Sequence, residues 1–130
     1  MNESVNYWLD IADYDFETAR AMLNSQRFLN VGFMCHQTIE KALKAVIARD
    51  CVGEETPPKI HNLQKLAERA KLFTKMSEEQ KNVLRKLNPL NLEARYPDYK
   101  QRIAANFENS VCQRLINETE ALLCWIKQQL

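Results

Sequence analysis

Three short polar segments of this 130-residue chain carry the side chains best able to do chemistry. The first is His36-Gln37-Thr38-Ile39-Glu40-Lys41-Ala42-Leu43-Lys44, a polar ladder inside an apolar helical pattern. At about 100° per residue, His36, Gln37, Glu40, Lys41 and Lys44 share one arc, with Cys35, Thr38, Ile39, Ala42 and Val46 opposite. Such an arc could receive an anionic or nucleotide-like partner, or be no more than the solvated face of an amphipathic helix. The second segment centres on His61, which follows Thr56 and Pro57-Pro58. Its imidazole is either a proton-transfer group or a ring packed beside a helix N-cap. The third is Arg95-Tyr96-Pro97-Asp98-Tyr99, where proline fixes one dihedral and a cation, two phenols and a carboxylate stand together. It serves either as a binding loop or as a clamp in which Arg95 and Asp98 pair with other helices.

The elements that must position these groups read as helices throughout. Trp8, Ile11, Ala12, Phe16, Ala19, Met22 and Leu23 form one apolar stripe, predicting a helix from Ser4, its N-cap, to about Ser25. Asp15 flanks that stripe, either as a solvated charge or as the partner of a cation on the next helix. A second helix is expected from Asn30, as cap, to Asp50, with Gly32 allowing close packing in its first turn. Cys51 to Ile60, with Gly53 and Pro57-Pro58, reads as a loop. A short third helix follows His61-Asn62, with Leu63, Leu66, Ala67 and Ala70 inward. Ser77-x-x-Gln80 has capping-box spacing and opens a fourth helix through Val83, Leu84 and Leu87, which Asn88-Pro89 ends. Leu90 to Asp98 is expected to be a structured connection, and the last helix to span about Ala104 to Gln129. The predicted fold is all-α: an up-and-down four-helix bundle with an additional short helix, residues 1–130 forming a single domain.

Composition narrows the function classes. With only two glycines there is no phosphate-cradling glycine loop, so P-loop and Rossmann chemistry are excluded. A net charge of +1 does not predict a general nucleic-acid binder, though a local basic patch is compatible with it. No apolar run approaches the roughly 20 residues of a membrane span, and no targeting segment is read at the N-terminus, so a cytoplasmic location is expected. Cys35, Cys51, Cys112 and Cys124 form no C-x-x-C pair and are expected to be reduced core thiols. No metal or cofactor is expected.

Four motifs in order resemble those of the HEPN domain, the higher eukaryotes and prokaryotes nucleotide-binding domain. Trp8-Leu9, Ala12 and Asp15 are similar to its W-L-x-x-A-x-x-D helix, and His36-Gln37, Glu40-Lys41 and Leu43-Lys44 to its H-Q-x-x-E-K-x-L-K helix. His61, Leu63 and Leu66 are similar to its H-x-L-x-x-L element, and Arg95-Tyr96-Pro97-Asp98 to its R-Y-P-D loop. The resemblance implies a four- to five-helix bundle that commonly forms a homodimer and often accompanies a minimal nucleotidyltransferase in a toxin–antitoxin-like pair. Other members are metal-independent ribonucleases carrying an arginine four to six residues before a histidine. This chain departs from that pattern: Arg27 lies nine positions before His36, and Arg49 twelve before His61.

The leading expectation is therefore a nonenzymatic accessory protein with a groove for a nucleotide, RNA or a partner surface. His36, Gln37, Glu40, Lys41 and Lys44 would line one wall, with His61 near it. Arg95, Tyr96 and Asp98 would close it. Lys41, Lys44 and Arg95 would attract phosphate, Glu40 would hold those cations in register, and Tyr96 and Tyr99 would offer stacking faces. The alternatives are a ribonuclease toxin in which His36 or His61 acts with Arg95, and a bundle whose polar ladder is a buried network fixing helix register.

Overall fold

A computed structural model describes residues 2–93 and 108–130 of the chain, Leu92 and Glu93 by backbone alone. The Arg95–Tyr99 segment and residues 104–107, where the sequence places the start of the last helix, lie outside the described residues. All the described regular structure is helical: α1 (Glu3–Asn24), α2 (Phe28–Arg49), α3 (Leu63–Arg69), a 3₁₀ turn (Phe73–Lys75), α4 (Glu78–Leu87), α5 (Leu90–Glu93) and α6 (Asn109–Gln128). The five expected helices are present, and one extra turn, α5, occupies the start of the expected connection.

Helix boundaries follow the available caps. Asn2, not Ser4, caps α1, its side chain accepting from Val5 N at 2.8 Å. Helix α2 starts two residues before Asn30, because the Arg27 carbonyl accepts from both Asn30 N and Val31 N. Asn62 caps α3 through Lys65 N, and Ser77 and Gln80 form the complete capping box of α4. With so few glycines, two helices end on other residues in the left-handed region: Gln26 at φ 58° and Lys71 at φ 62°. At each, the next backbone N–H reaches back across the last turn, Arg27 N to Met22 O and Leu72 N to Ala67 O, closing a Schellman motif.

Helix α2 is the centre of the bundle. The tight Ser25–Arg27 link makes α1 and α2 antiparallel neighbours, so Val5 at the start of α1 meets Ala45 and Ala48 near the end of α2. Helix α6 runs parallel to α2: Cys112 Sγ lies on the Phe28 carbonyl at one end, and Arg49 donates to the Gln129 carbonyl at the other. It is antiparallel to α1, tied by Arg20–Glu120 and Lys127–Asp13. Helices α3, α4 and α5 cover the remaining side of α2. The main core draws Phe16, Ile39, Leu43, Leu66, Leu84, Leu122 and their neighbours from all these layers.

This centrality overturns one reading of the ladder. A solvated face requires one open side, yet α2 buries His36, Glu40 and Lys44 as well as its apolar residues. The cysteines also depart from expectation. All four are free thiols and Cys35 and Cys112 are buried, but Cys51 is half-buried and Cys124 is exposed.

A β-carbon in the left-handed region costs roughly 1–2 kcal/mol, of which glycine's greater unfolded-state entropy gives back part. Gln26→Gly should therefore stabilise the protein by about 0.5–1 kcal/mol, read as a higher urea midpoint at unchanged slope; a lower midpoint would contradict the strained-turn assignment.

Candidate functional site

Glu40 is the hub of a polar network between α1, α2 and the residue that precedes α3. Its side chain is 1% exposed, so an unpaired charge there would be costly. Both oxygens are satisfied. Oε1 accepts from His61 Nδ1 at 2.9 Å, and Oε2 accepts from Lys41 Nζ at 3.0 Å and Lys44 Nζ at 3.2 Å. Burial works to raise the Glu40 carboxyl, but the His61 and Lys41 bonds and the two lysine charges outweigh it and hold it below the usual carboxylate range.

The lysines are positioned in turn. Lys41 Nζ also donates to Gln37 Oε1 at 2.7 Å, and Gln37 Nε2 donates to the buried Asn91 Oδ1 at 2.9 Å. Lys44 Nζ stands 5.5 Å from the centre of the Trp8 ring, a cation–π contact from α1. Asp15 of α1 completes this side. Burial raises its carboxyl, the Lys41 charge opposes that, and the Glu40 charge adds to it. Asp15 is half-buried and feels the Lys41 charge across the helix pair, but it makes no ion pair with a cation among the described residues.

The two histidines have different roles. His36 is fully buried. Its Nε2 lies 3.1 Å from the His61 carbonyl, so it carries the proton and donates, leaving Nδ1 to accept from Gln37 Nε2 at 3.4 Å. Burial is the main reason its pKa falls to about 4, only partly offset by Glu40 and the His61 carbonyl. His36 is therefore neutral near pH 7, and its 3.8 Å approach to Glu40 Oε1 is not an ion pair. His61 is the open member, its side chain 55% exposed. Its ring is clamped by Glu40 and its carbonyl by His36. Asn88 Oδ1 holds the next turn by accepting from Leu63 N at 2.9 Å.

Thus His36, Gln37, Glu40, Lys41, Lys44 and His61 come together, while Arg95, Tyr96 and Asp98 lie outside the described residues. The solvent-facing part of the set is the His61 ring, with Lys41 at 17% exposure beside it. Chemically, a carboxylate-clamped imidazole next to an ammonium can hold a phosphate, and can also move a proton. Nothing in the sequence pattern marks Trp8 or Asn91 as a site residue. Trp8 reads as core stripe, and Asn91 has no periodic signal, four residues before Arg95. A groove of about 760 Å³ between α4 and α6, flanked by the Lys86–Glu118 pair, shares no residue with the network.

His36 gives an acid-stability prediction. Its folded pKa of about 4 lies below the unfolded value near 6.5, so the unfolded chain binds the extra proton between those values. Its contribution is complete above pH ~6.5 and is lost as pH falls toward 4, amounting to on the order of 3 kcal/mol. Depressed Glu40 adds a further loss below the ordinary carboxylate value, in the same direction. His36→Gln should flatten the stability profile between pH ~6.5 and ~4 in denaturant titrations; an unchanged slope would contradict a buried neutral ring.

The comparisons with known proteins agree with this architecture. The crystal structure of TT1696 from Thermus thermophilus superposes with a TM-score of 0.80 at 18% identity, covering 99% of this chain and 100% of that one. At that identity the likeness is one of fold. No curated protein matches the chain. The family model of the HEPN domain matches residues 5–129, nearly the whole sequence. The chain belongs to the HEPN domain family.

Proposed function

We propose that this chain is a HEPN-domain accessory protein that binds a nucleotide at the His61–Lys41 edge of the Glu40 network. It would act as a homodimer in a two-component, toxin–antitoxin-like pair with a minimal nucleotidyltransferase. One observation carries the binding reading: the exposed His61 imidazole is locked onto a buried carboxylate immediately beside Lys41. A preorganised cationic edge of this kind loses little entropy when a phosphate arrives. Arg95, Tyr96 and Asp98 are the proposed closing wall, supported by the short run of sequence separating them from Asn91, which Gln37 holds. Family membership supports the pairing with a nucleotidyltransferase.

The His61–Glu40 pair also favours a second reading, a metal-independent ribonuclease. A carboxylate that accepts the Nδ1–H hydrogen bond keeps the proton on Nδ1 and leaves Nε2 as a base for a ribose 2′-hydroxyl, and a nearby cation would stabilise the charged phosphorane. His36 drops out of this role, because its ring is enclosed and both nitrogens are engaged. The third reading, a register-fixing network, describes the buried part of the ladder and leaves the exposed edge of His61 without a role.

Calorimetric titration with ATP separates these readings. Wild-type protein should bind, and Lys41→Ala/Arg95→Ala should bind at least tenfold more weakly while still melting cooperatively. Unchanged affinity in the folded double variant contradicts the site. RNA cleaved in the presence of EDTA, and spared by His61→Ala but not by His36→Gln, would move the assignment to the ribonuclease.

A further inference from the structure

Two of the three large hydrophobic side chains exposed among the described residues are tyrosines of α1: Tyr7 is 59% and Tyr14 75% exposed. They stand seven residues apart, on the side of α1 opposite the buried Val5, Ala12, Phe16, Ala19 and Leu23. Three exposed carboxylates fall in the same row. Glu3, Tyr7, Asp10, Tyr14 and Glu17 follow one another at alternating steps of four and three residues. That is a heptad seam, the spacing by which one helix receives another along its length. Acid occupies one seam position of each heptad and tyrosine the other.

The fold leaves this row open. Asp13 and Arg20, at its flank, are taken by Lys127 and Glu120 of α6. Glu3, Asp10 and Glu17 have no ion-pair or hydrogen-bond partner among the described residues. Tyr7 is steadied by Trp8, their rings meeting edge to face with centroids 5.3 Å apart, so it meets a partner already ordered. Tyrosines of this kind anchor protein interfaces, because they bring a large contact area at low entropy cost.

Charge decides the occupant. Helix α1 carries five carboxylates against one arginine, so polyanions are repelled, and a second copy of the same face would set acid against acid. The other described helices do not complement it. Helix α6 balances Arg114 and Lys127 with Glu118 and Glu120, and α2 keeps Lys41 and Lys44 inside the Glu40 network. Helices α3 and α4, of 7 and 10 residues, are shorter than the row, which spans about 21 Å at 1.5 Å per residue.

We infer that the outer face of α1 is a docking surface for a basic helix of another protein, one that alternates arginine and an apolar residue at the same heptad spacing. Arginine matches the carboxylates as a fork and lies well on tyrosine rings. A shallow crossing of about 20° keeps the two helices in contact along the whole row. The inference goes beyond the nucleotide site and does not depend on it, since none of the five residues belongs to the Glu40 network.

The probe is a fluorescein-labelled three-heptad helical peptide with arginine and leucine at the two seam positions and alanine and glutamine elsewhere. Its anisotropy is followed at physiological ionic strength. Wild type should bind this peptide and ignore the same peptide with glutamate in place of arginine. Tyr7→Ala/Tyr14→Ala removes no charge, yet should weaken binding at least tenfold. Tyr14→Ala alone, which leaves the Tyr7–Trp8 contact intact, should weaken it in the same direction. Asp10→Lys/Glu17→Lys should lose the arginine peptide and gain the glutamate one. Glu54→Gln/Glu79→Gln, at exposed carboxylates away from α1, should bind like wild type. The docking surface is overturned if wild type does not bind the arginine peptide, or if that control loses it. It is equally overturned if the tyrosine variants bind like wild type, which leaves charge alone as the attraction. A change in the sedimentation coefficient of the tyrosine variants would make this face a contact between copies and overturn the partner helix.

Discussion

A single buried carboxylate sets the arrangement of everything around it. Glu40 sits on the central helix with almost no solvent contact, and a charge in that position survives only if its oxygens are fully bonded. Lys41 and Lys44 come from its own helix, and His61 is brought in by the α2–α3 loop. That requirement dictates where the loop must return and how α3 begins. Removing Glu40 would leave two lysines partly buried without a counter-charge, whereas a buried pair left intact adds little net stability. The value of the network is thus specificity of arrangement. It places one imidazole at the surface in one orientation.

His36 belongs to the same design at one remove. Its enclosed, uncharged ring holds the backbone of His61 while Glu40 holds the side chain. Residues that look equivalent in a motif, two histidines each followed by polar neighbours, are therefore a positioning group and an exposed group. Trp8 acts similarly from α1, giving the Lys44 ammonium an aromatic face where water is scarce. Asp15, Trp8 and the ladder meet because α1 and α2 are antiparallel and pack along their lengths.

Much of this is legible in the residues. Apolar spacing of three and four places α1, α2 and the end of α6 correctly, and the Ser77–Gln80 capping box marks the start of α4 to the residue. The polar ladder is recognisable as a unit, but its depth is not. A 3.6-residue period shows which side chains share an arc, and says nothing about how many neighbours cover it. Helix α2 is covered on several sides, so a polar arc that resembles a wet face lies inside. The starts of α1 and α2 differ from expectation because Ser4 and Asn30 are good caps by type, while Asn2 and the Arg27 carbonyl already satisfy the free N–H groups. Asn91 is invisible for a different reason: its contact with Gln37 joins positions 54 residues apart.

Glu40 and the His61 carbonyl impose opposite proton placements on the two rings. Nitrogen-15 NMR of the imidazoles at about pH 9, well above the ordinary histidine pKa, reads this directly. The proton of His61 is expected on Nδ1, facing Glu40, and that of His36 on Nε2, facing the His61 carbonyl. Finding His61 protonated on Nε2, or His36 on Nδ1, would contradict that placement.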